Sequence, residues 1–247
     1  MFTLMFGSYT FPNKTFEVEE LPLNNNIQED SVVRKHGSTI QAPYLKSRTI
    51  RISGTIHNNS SETSLTQLMA MQEALFAGED KFYHRSDRYI SCFIKSLNPE
   101  FKKGTDKAVI DVDISFIAQD PFFYSAGVSL SVIQNAVNGV TIDFDVSPSG
   151  NVFSESKIFI YASGGTINDD ITLINLSNSE KFFKFRGILA DGTTLEIDSK
   201  DCTVLNNEVD GLSNFEGDFL TLVAGSNSFQ FCGGTCRIEI DYKNRWY

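Results

Sequence analysis

Beyond Val140 the chain is divided by closely spaced turn residues into short, apolar-alternating segments, and none of them carries the spacing of a helix. The segments are Val140 to Val146, Lys157 to Ala162, Ile171 to Leu176, Lys181 to Leu189, Thr194 to Asp198, Asp218 to Val223, Ser228 to Cys232 and Cys236 to Tyr242. Ser163-Gly164-Gly165, Asp191-Gly192 and Ala224-Gly225 punctuate them. Such strands bury their apolar sides only against a second layer, so this half of the chain is expected to be an antiparallel sandwich. The aromatic content agrees: 21 Phe and 8 Tyr against 1 Trp and 4 Met suit pleated, half-buried surfaces.

The first half reads differently. Arg48 to Ile56 places Ile50, Ile52 and Ile56 on one face, with Arg51, Ser53 and Thr55 opposite, the alternation of a half-buried strand. After the polar loop Asn58 to Thr63, Ser64-Leu65-Thr66-Gln67 has the form of a capping box, followed by Leu65, Leu68, Met69, Leu75 and Phe76 at helical spacing. Gly78 is available for a left-handed C-cap, so one helix is expected from near Ser64 to near Gly78. Lys81 to Leu97 has strand character. Ala108 to Ala118 alternates, with Ala108, Ile110, Val112, Ile114 and Phe116 on one face and Asp111, Asp113 and Ser115 on the other. Asn98 to Asp106 suits the connection of a long antiparallel hairpin between these two segments. The boundary between halves is expected between Ala126 and Asn138, after Asp120-Pro121. The reading is thus mainly β: residues 1–127 form a sandwich-like domain with one helix and a long hairpin, and residues 128–247 form an antiparallel sandwich.

Charge follows the same division. Residues 1–125 carry 13 basic and 15 acidic residues, net −2, and residues 126–247 carry 8 and 16, net −8. A polyanion is repelled by that balance unless a local patch reverses it, and the nearest basic run, Lys102-Lys103, is too short to do so. No apolar stretch approaches the roughly 18 residues of a membrane span. Met1 to Phe11 lacks the basic and apolar regions of an export signal. Reduced thiols are therefore expected at Cys92, Cys202, Cys232 and Cys236, and the sequons at Asn13, Asn58 and Asn175 are expected to be chance matches.

Catalytic motifs are missing. The glycines form no phosphate-binding loop, and there is no G-x-S-x-G elbow. His36, His57 and His84 fall in separate segments. His84 lies three residues before Asp87, a spacing that sends the two side chains to opposite faces of one strand. Cys232-Gly233-Gly234-Thr235-Cys236 lacks a second ligand pair for zinc and reads as a hairpin turn with flanking apolar thiols. Asp143 and Asp145, and Asn168-Asp169-Asp170, lack the glycine of a calcium loop and read as solvated strand faces or turns. Among Phe182, Phe183 and Phe185, the latter two alternate as core rather than as a sugar-stacking platform. No catalytic, cofactor-binding or metal-binding residue is assigned, and no cofactor is expected.

The N-terminal half resembles the distal tail protein (Dit) family of long-tailed, non-contractile bacteriophages and prophage tail components. The resemblance is carried by Arg34-Lys35-His36-Gly37, Tyr44, the strand Arg48 to Ile56, the helix through Leu68 and Leu75, Phe82-Tyr83 to Ile90, and Phe116 to Phe122. The second half is similar to that family's galectin-like C-terminal sandwich, through Ile171 to Asn178, Leu189 to Asp198, Phe219 to Asn227 and Ile238 to Tyr247. The resemblance implies a non-enzymatic hub in the virion: a homo-hexameric ring closed by the N-terminal domain. Such a ring joins the tail tube protein to tail-tip, baseplate or receptor-binding proteins, with genome DNA passing through unbound. A carbohydrate-binding adhesion module of a virion or cell-surface assembly is the second function class. An exposed aromatic platform flanked by Asn, Asp or Arg distinguishes it from a pure connector.

Overall fold

The computed structural model describes residues 4–12, 15–26, 29–31, 38–40, 44–127 and 129–247. Asn13, Lys14, and Arg34 to Gly37 with His36 lie outside the described residues. The chain divides into two compact units, Met1–Ala126 together with Tyr247, and Gly127–Trp246.

The first unit is built on one antiparallel sheet. Its strands are β1 (Met5–Phe6), β2 (Tyr9–Thr10), β3 (Phe16–Glu20), β4 (Arg48–His57), β5 (Asp80–Arg85), β6 (Arg88–Phe101), β7 (Val109–Ala118) and β8 (Phe123–Ser125). The order across the sheet is β2-β1-β5-β6-β7-β4-β3, and β8 also pairs with β6. The segment read as one strand from Lys81 to Leu97 is two strands, because Ser86-Asp87 turns the chain and sets Ile90 opposite Phe82. Farther along, β6 changes partner: Arg88 to Cys92 pair with β5, and Phe93 to Phe101 pair with β7. Phe101 pairs with Ile110, so the hairpin connection is tighter than Asn98 to Asp106. The β4–β7 ladder runs unbroken from His57↔Val109 to Arg48↔Ala118 and sets Ile50, Ile52, Ile56, Ile110, Val112, Ile114 and Phe116 on the buried face. Gly54 falls on that face too. The Phe16 ring fills its place, and a Cβ there would lie 2.3 Å from the ring.

Helix α1 (Ser61–Leu75) covers part of this face with Leu68, Met71 and Leu75. It starts earlier than the capping-box reading because Ser60 is the N-cap, accepting from the Thr63 amide at 3.2 Å. Ser64 is instead fully buried and donates to the Ala108 carbonyl at 2.7 Å, while Asn58 donates to Gln67 at 2.9 Å. The supposed box residues therefore fasten the helix to the hairpin base and to the end of β4. The C-cap is Phe76, and Gly78, at φ 134°, lies in the turn beyond it.

The second unit is a sandwich of two antiparallel sheets. One has the order β9 (Leu130–Ala136), β20 (Cys236–Tyr242), β11 (Ser154–Ala162), β14 (Thr194–Asp198), β15 (Thr203–Asn206), β16 (Val209–Asp210), with β18 (Thr221–Leu222) also on β11. The other has the order β10 (Ile142–Val146), β19 (Asn227–Cys232), β12 (Ile171–Asn175), β13 (Lys181–Phe185), β17 (Phe215–Gly217). Ile158, Ile160, Ile238, Ile240, Leu195 and Ile197 from the first sheet meet Phe144, Leu173, Phe183, Phe185, Phe229 and Phe231 from the second in one core. Strand β9 was not foreseen. Nor were β15, β16 and β17, which fill a stretch that carries little sequence signal.

One polar network sits inside this core. Asn227 is fully buried; its Nδ2 donates to the carbonyls of Val223 at 2.9 Å and Gly225 at 3.1 Å. Its Oδ1 accepts from the Val223 amide at 2.8 Å and from Asn175 Nδ2 at 3.1 Å. A side chain with all its capacity engaged fixes the Ala224-Gly225-Ser226 turn and ties it to β12. Asn227→Ala strands these buried partners, and a loss of about 2–4 kcal/mol is expected in urea unfolding. A loss under about 1 kcal/mol would show that the turn holds without the network.

Candidate assembly surfaces

In the first unit the face opposite the core is polar and arranged in rows. Ser96, Ser115 and Arg51 form one row, and Asn98, Asp113, Ser53 and Glu17 form the next. The ladder skips a residue twice: between Ile94 and Ser96 on β6, and between Val18 and Glu20 on β3. The extra residues are Lys95 and Glu19, and both line the same groove with Arg51, Ser96, Asn98, Asp113 and Ser115. Its volume is about 490 Å³. A bulge re-aims a side chain and bends its strand, and here two bulges on flanking strands shape one surface. Two cations, two carboxylates and three neutral hydrogen-bonding groups suit contact with another polar protein surface. Sequence alternation predicted this polar face, but a bulge depends on the partner strand's register and leaves no mark in a single strand's pattern.

His84 and Asp87 are not on one strand. His84 lies on β5, whereas Asp87 lies in the β5–β6 turn and pairs with Arg88 at 3.3 Å. The His84 ring packs against Phe123 at 4.5 Å between centroids, and the Arg48 guanidinium lies 4.8 Å from the Phe123 centroid. Burial first, and then the charges of Arg85, Arg88 and Arg48, push the imidazole down to about 4, opposed only by Asp87. Its Nδ1 is buried with no hydrogen-bond partner among the described residues. An imidazole held neutral between cations is a packing group. His57 ends β4 at the solvent side.

In the second unit the outward face of the β9-to-β16 sheet carries Lys157, Phe159 and Tyr161 on β11, with the two rings 6.1 Å apart and nearly parallel. This is the aromatic pair nearest to a stacking platform. Its faces are occupied: Arg237 lies 4.3 Å from the Tyr161 centroid and Lys157 lies 5.6 Å from that of Phe159. The cations are themselves held, Arg237 by Glu239 at 3.0 Å and Lys157 by Glu196 at 2.6 Å. Hydrogen bonding to Glu196 raises the Lys157 ammonium above the usual lysine range. A sugar must break these contacts to stack there. On the other sheet, Phe183 and Phe185 are fully buried and Phe182 is exposed.

The remaining candidates are dispersed. Asp143 accepts from Gln230 at 3.1 Å and Asp145 from Ser228 at 2.5 Å, both on the outer face of β10 and β19, while Asp170 pairs with Lys184 at 3.4 Å. All four thiols are free. Cys232 is exposed at the end of β19, whereas Cys236 is buried at the start of β20, where burial pushes its thiol up to about 12. Among the described residues no group of three or more His, Cys, Asp or Glu is gathered as metal ligands are.

A family model described as siphovirus-type tail component, C-terminal domain, matches residues 158–246, which run from β11 through β20. The whole fold is similar to the crystal structure of the Dit protein of phage SPP1, described as a paradigm of hub adsorption apparatus in Gram-positive infecting phages. The two share 12% identity at a TM-score of 0.74, with 99% of each chain covered. The chain therefore has the fold of that phage hub protein, and its second unit carries the tail-component C-terminal domain. Structures of the phage P2 baseplate in its activated conformation, with Ca or with Sr, also match, at 9% identity and a TM-score of 0.42 over 94% of this chain and 91% of theirs. No curated protein matches the chain in sequence. With that fold, the informative surfaces are the polar groove of the first unit and the sheet faces and edges of the second.

The depressed His84 gives a measurable signature. The unfolded chain takes up a proton at this residue near pH 6.5, whereas the folded chain resists until about 4. The contribution of His84 to stability is therefore complete above pH 6.5 and is lost as the pH falls towards 4. His84→Phe is expected to flatten the fall in urea midpoint across this window. Parallel profiles for the two proteins would contradict a buried neutral imidazole.

Proposed function

We propose that the protein is the distal tail hub of a long-tailed, non-contractile phage or prophage particle, located at the tail tip or baseplate. Six copies close into a ring through the first domain, residues 1–127, and the second, galectin-like domain, residues 128–247, faces neighbouring tail proteins. The ring joins the tail tube to the host-adsorption apparatus and leaves a channel for DNA. The protein acts as a scaffold and not as a catalyst.

The observation that carries this reading is the full-length likeness to a hub protein of known fold, 99% of each chain at a TM-score of 0.74, with the tail-component family match in the second unit. The surfaces agree with it. The polar groove shaped by the Glu19 and Lys95 bulges offers both signs of charge, which suits the heterologous contacts of a cyclic assembly, where one patch meets a different patch on the neighbour. A net charge of −10 opposes tight binding of DNA in transit.

Native mass spectrometry and negative-stain imaging of the full chain test the assignment. Masses in multiples of six chains, and rings with a central opening, are expected. A protein that stays monomeric up to high concentration, both alone and with its tail-tube partner, would refute the ring.

A further inference from the structure

The terminal strands of the large sheets are not treated alike. An edge strand offers unpaired amides and carbonyls to any other strand, and proteins blunt such edges by shortness, charge, proline or a bulge. Strand β3 carries exposed Glu17 and Glu19 and a bulge. Strands β2 and β16 are two residues long. Strand β10 presents exposed Asp143 and Asp145, and β17 is three residues ending in Gly217. Strand β9 has none of these devices. Its seven residues, Leu130-Ser131-Val132-Ile133-Gln134-Asn135-Ala136, contain no charge, proline or glycine and pair with β20 without a break. Leu130 is 43% exposed and Ile133 is 48% exposed.

We propose that this edge pairs with the same strand of a second copy of the chain, antiparallel about Ile133, so that the β9-to-β16 sheets of two molecules become one. The register follows from the rows already present. Within one copy Ser131 lies beside Asp241, Ile133 beside Glu239 and Asn135 beside Arg237. Pairing about Ile133 aligns all seven residues, sets Ile133 against its own mate and Ser131 against Asn135. The Asp241 row of one copy then continues into the Arg237 row of the other, and the reverse holds across the twofold axis. Centring on Ser131 instead would bring the two Asp241 rows together, and centring on Asn135 the two Arg237 rows. A shift by one residue would turn the polar row inward. The neighbouring edge, β10, keeps out of the joint because Asp143 and Asp145 would meet their own copies.

This contact is independent of the proposed ring, since it doubles whatever particle forms. The test uses the full chain with the exposed Cys202 and Cys232 replaced by Ser. Ile133→Cys in that background should give a disulfide-linked dimer on mild oxidation. Ile188→Cys, at a position 64% exposed on a loop away from the strand, serves as the collision control and should link far less. Ile133→Lys, in the otherwise native chain, should halve the particle mass at moderate concentration, raising the dissociation constant about tenfold or more. Equal linking at 133 and 188, or a mass distribution unchanged by Ile133→Lys, overturns the proposal, and the edge then serves another chain or none. Failure of the ring would appear separately, as the absence of multiples of six.

Discussion

The second unit depends on the pairing of β11 with β20, residue against residue from Ser156↔Tyr242 to Ala162↔Cys236. That register sends Ile158, Ile160, Ile238 and Ile240 inward to the phenylalanines of the facing sheet, each fully or almost fully buried. It equally sends Lys157, Phe159, Tyr161, Arg237 and Glu239 outward, where cation, ring and carboxylate satisfy one another. A slip of one residue would exchange the two sets, exposing four isoleucines and burying three charges, so the ladder has a single acceptable alignment. The neutral rim at β9 and the charged centre of the same face are both consequences of it.

In the first unit the corresponding constraint is the β4–β7 ladder, ten residue pairs without interruption. Around this rigid pair the flanking strands are adjusted. Strand β3 lays Phe16 over Gly54 and then bulges at Glu19, while β6 bulges at Lys95. A surface with shape therefore arises on a sheet whose central strands are regular, and assembly can be specified at the flanks without disturbing the core.

What the sequence revealed follows this division. Strict alternation made β4 and β7 legible residue by residue, because each has one face in the core and one in water. Helix α1 was legible as a helix but not in its start: Ser64-Leu65-Thr66-Gln67 satisfies the capping pattern, yet its serine is buried against Ala108, and Ser60, one turn earlier, does the capping. Tertiary packing decided between two serines that local pattern cannot rank. Strands β15 and β16 were missed because the turn joining them is Asn207-Glu208, with both residues at positive φ. A glutamate in that conformation is disfavoured and gives no turn signal, so only the ladder it closes explains it. Strand β9 was hidden by its own neutrality, since Ser131, Gln134 and Asn135 fall on both of its sides and no charge marks a face, so that it resembles a linker. The bulges and the cation-covered rings are relations between strands, and no reading of one segment contains them.

The order in which the strands of the second unit meet also sets when it can form. Its edge strand β9 and its central strand β11 both pair with β20, so Ser131 must find Asp241 across most of the domain. Contacts of that span pay their loop-closure entropy before any packing offsets it, which slows folding. On the ribosome, β9 and β11 wait with open edges until Cys236 to Tyr242 have cleared the exit tunnel, whereas the β6–β7 hairpin closes as soon as it is made. The first unit can therefore fold while the second still waits for its last long strand, and the two halves of one chain are completed at different times.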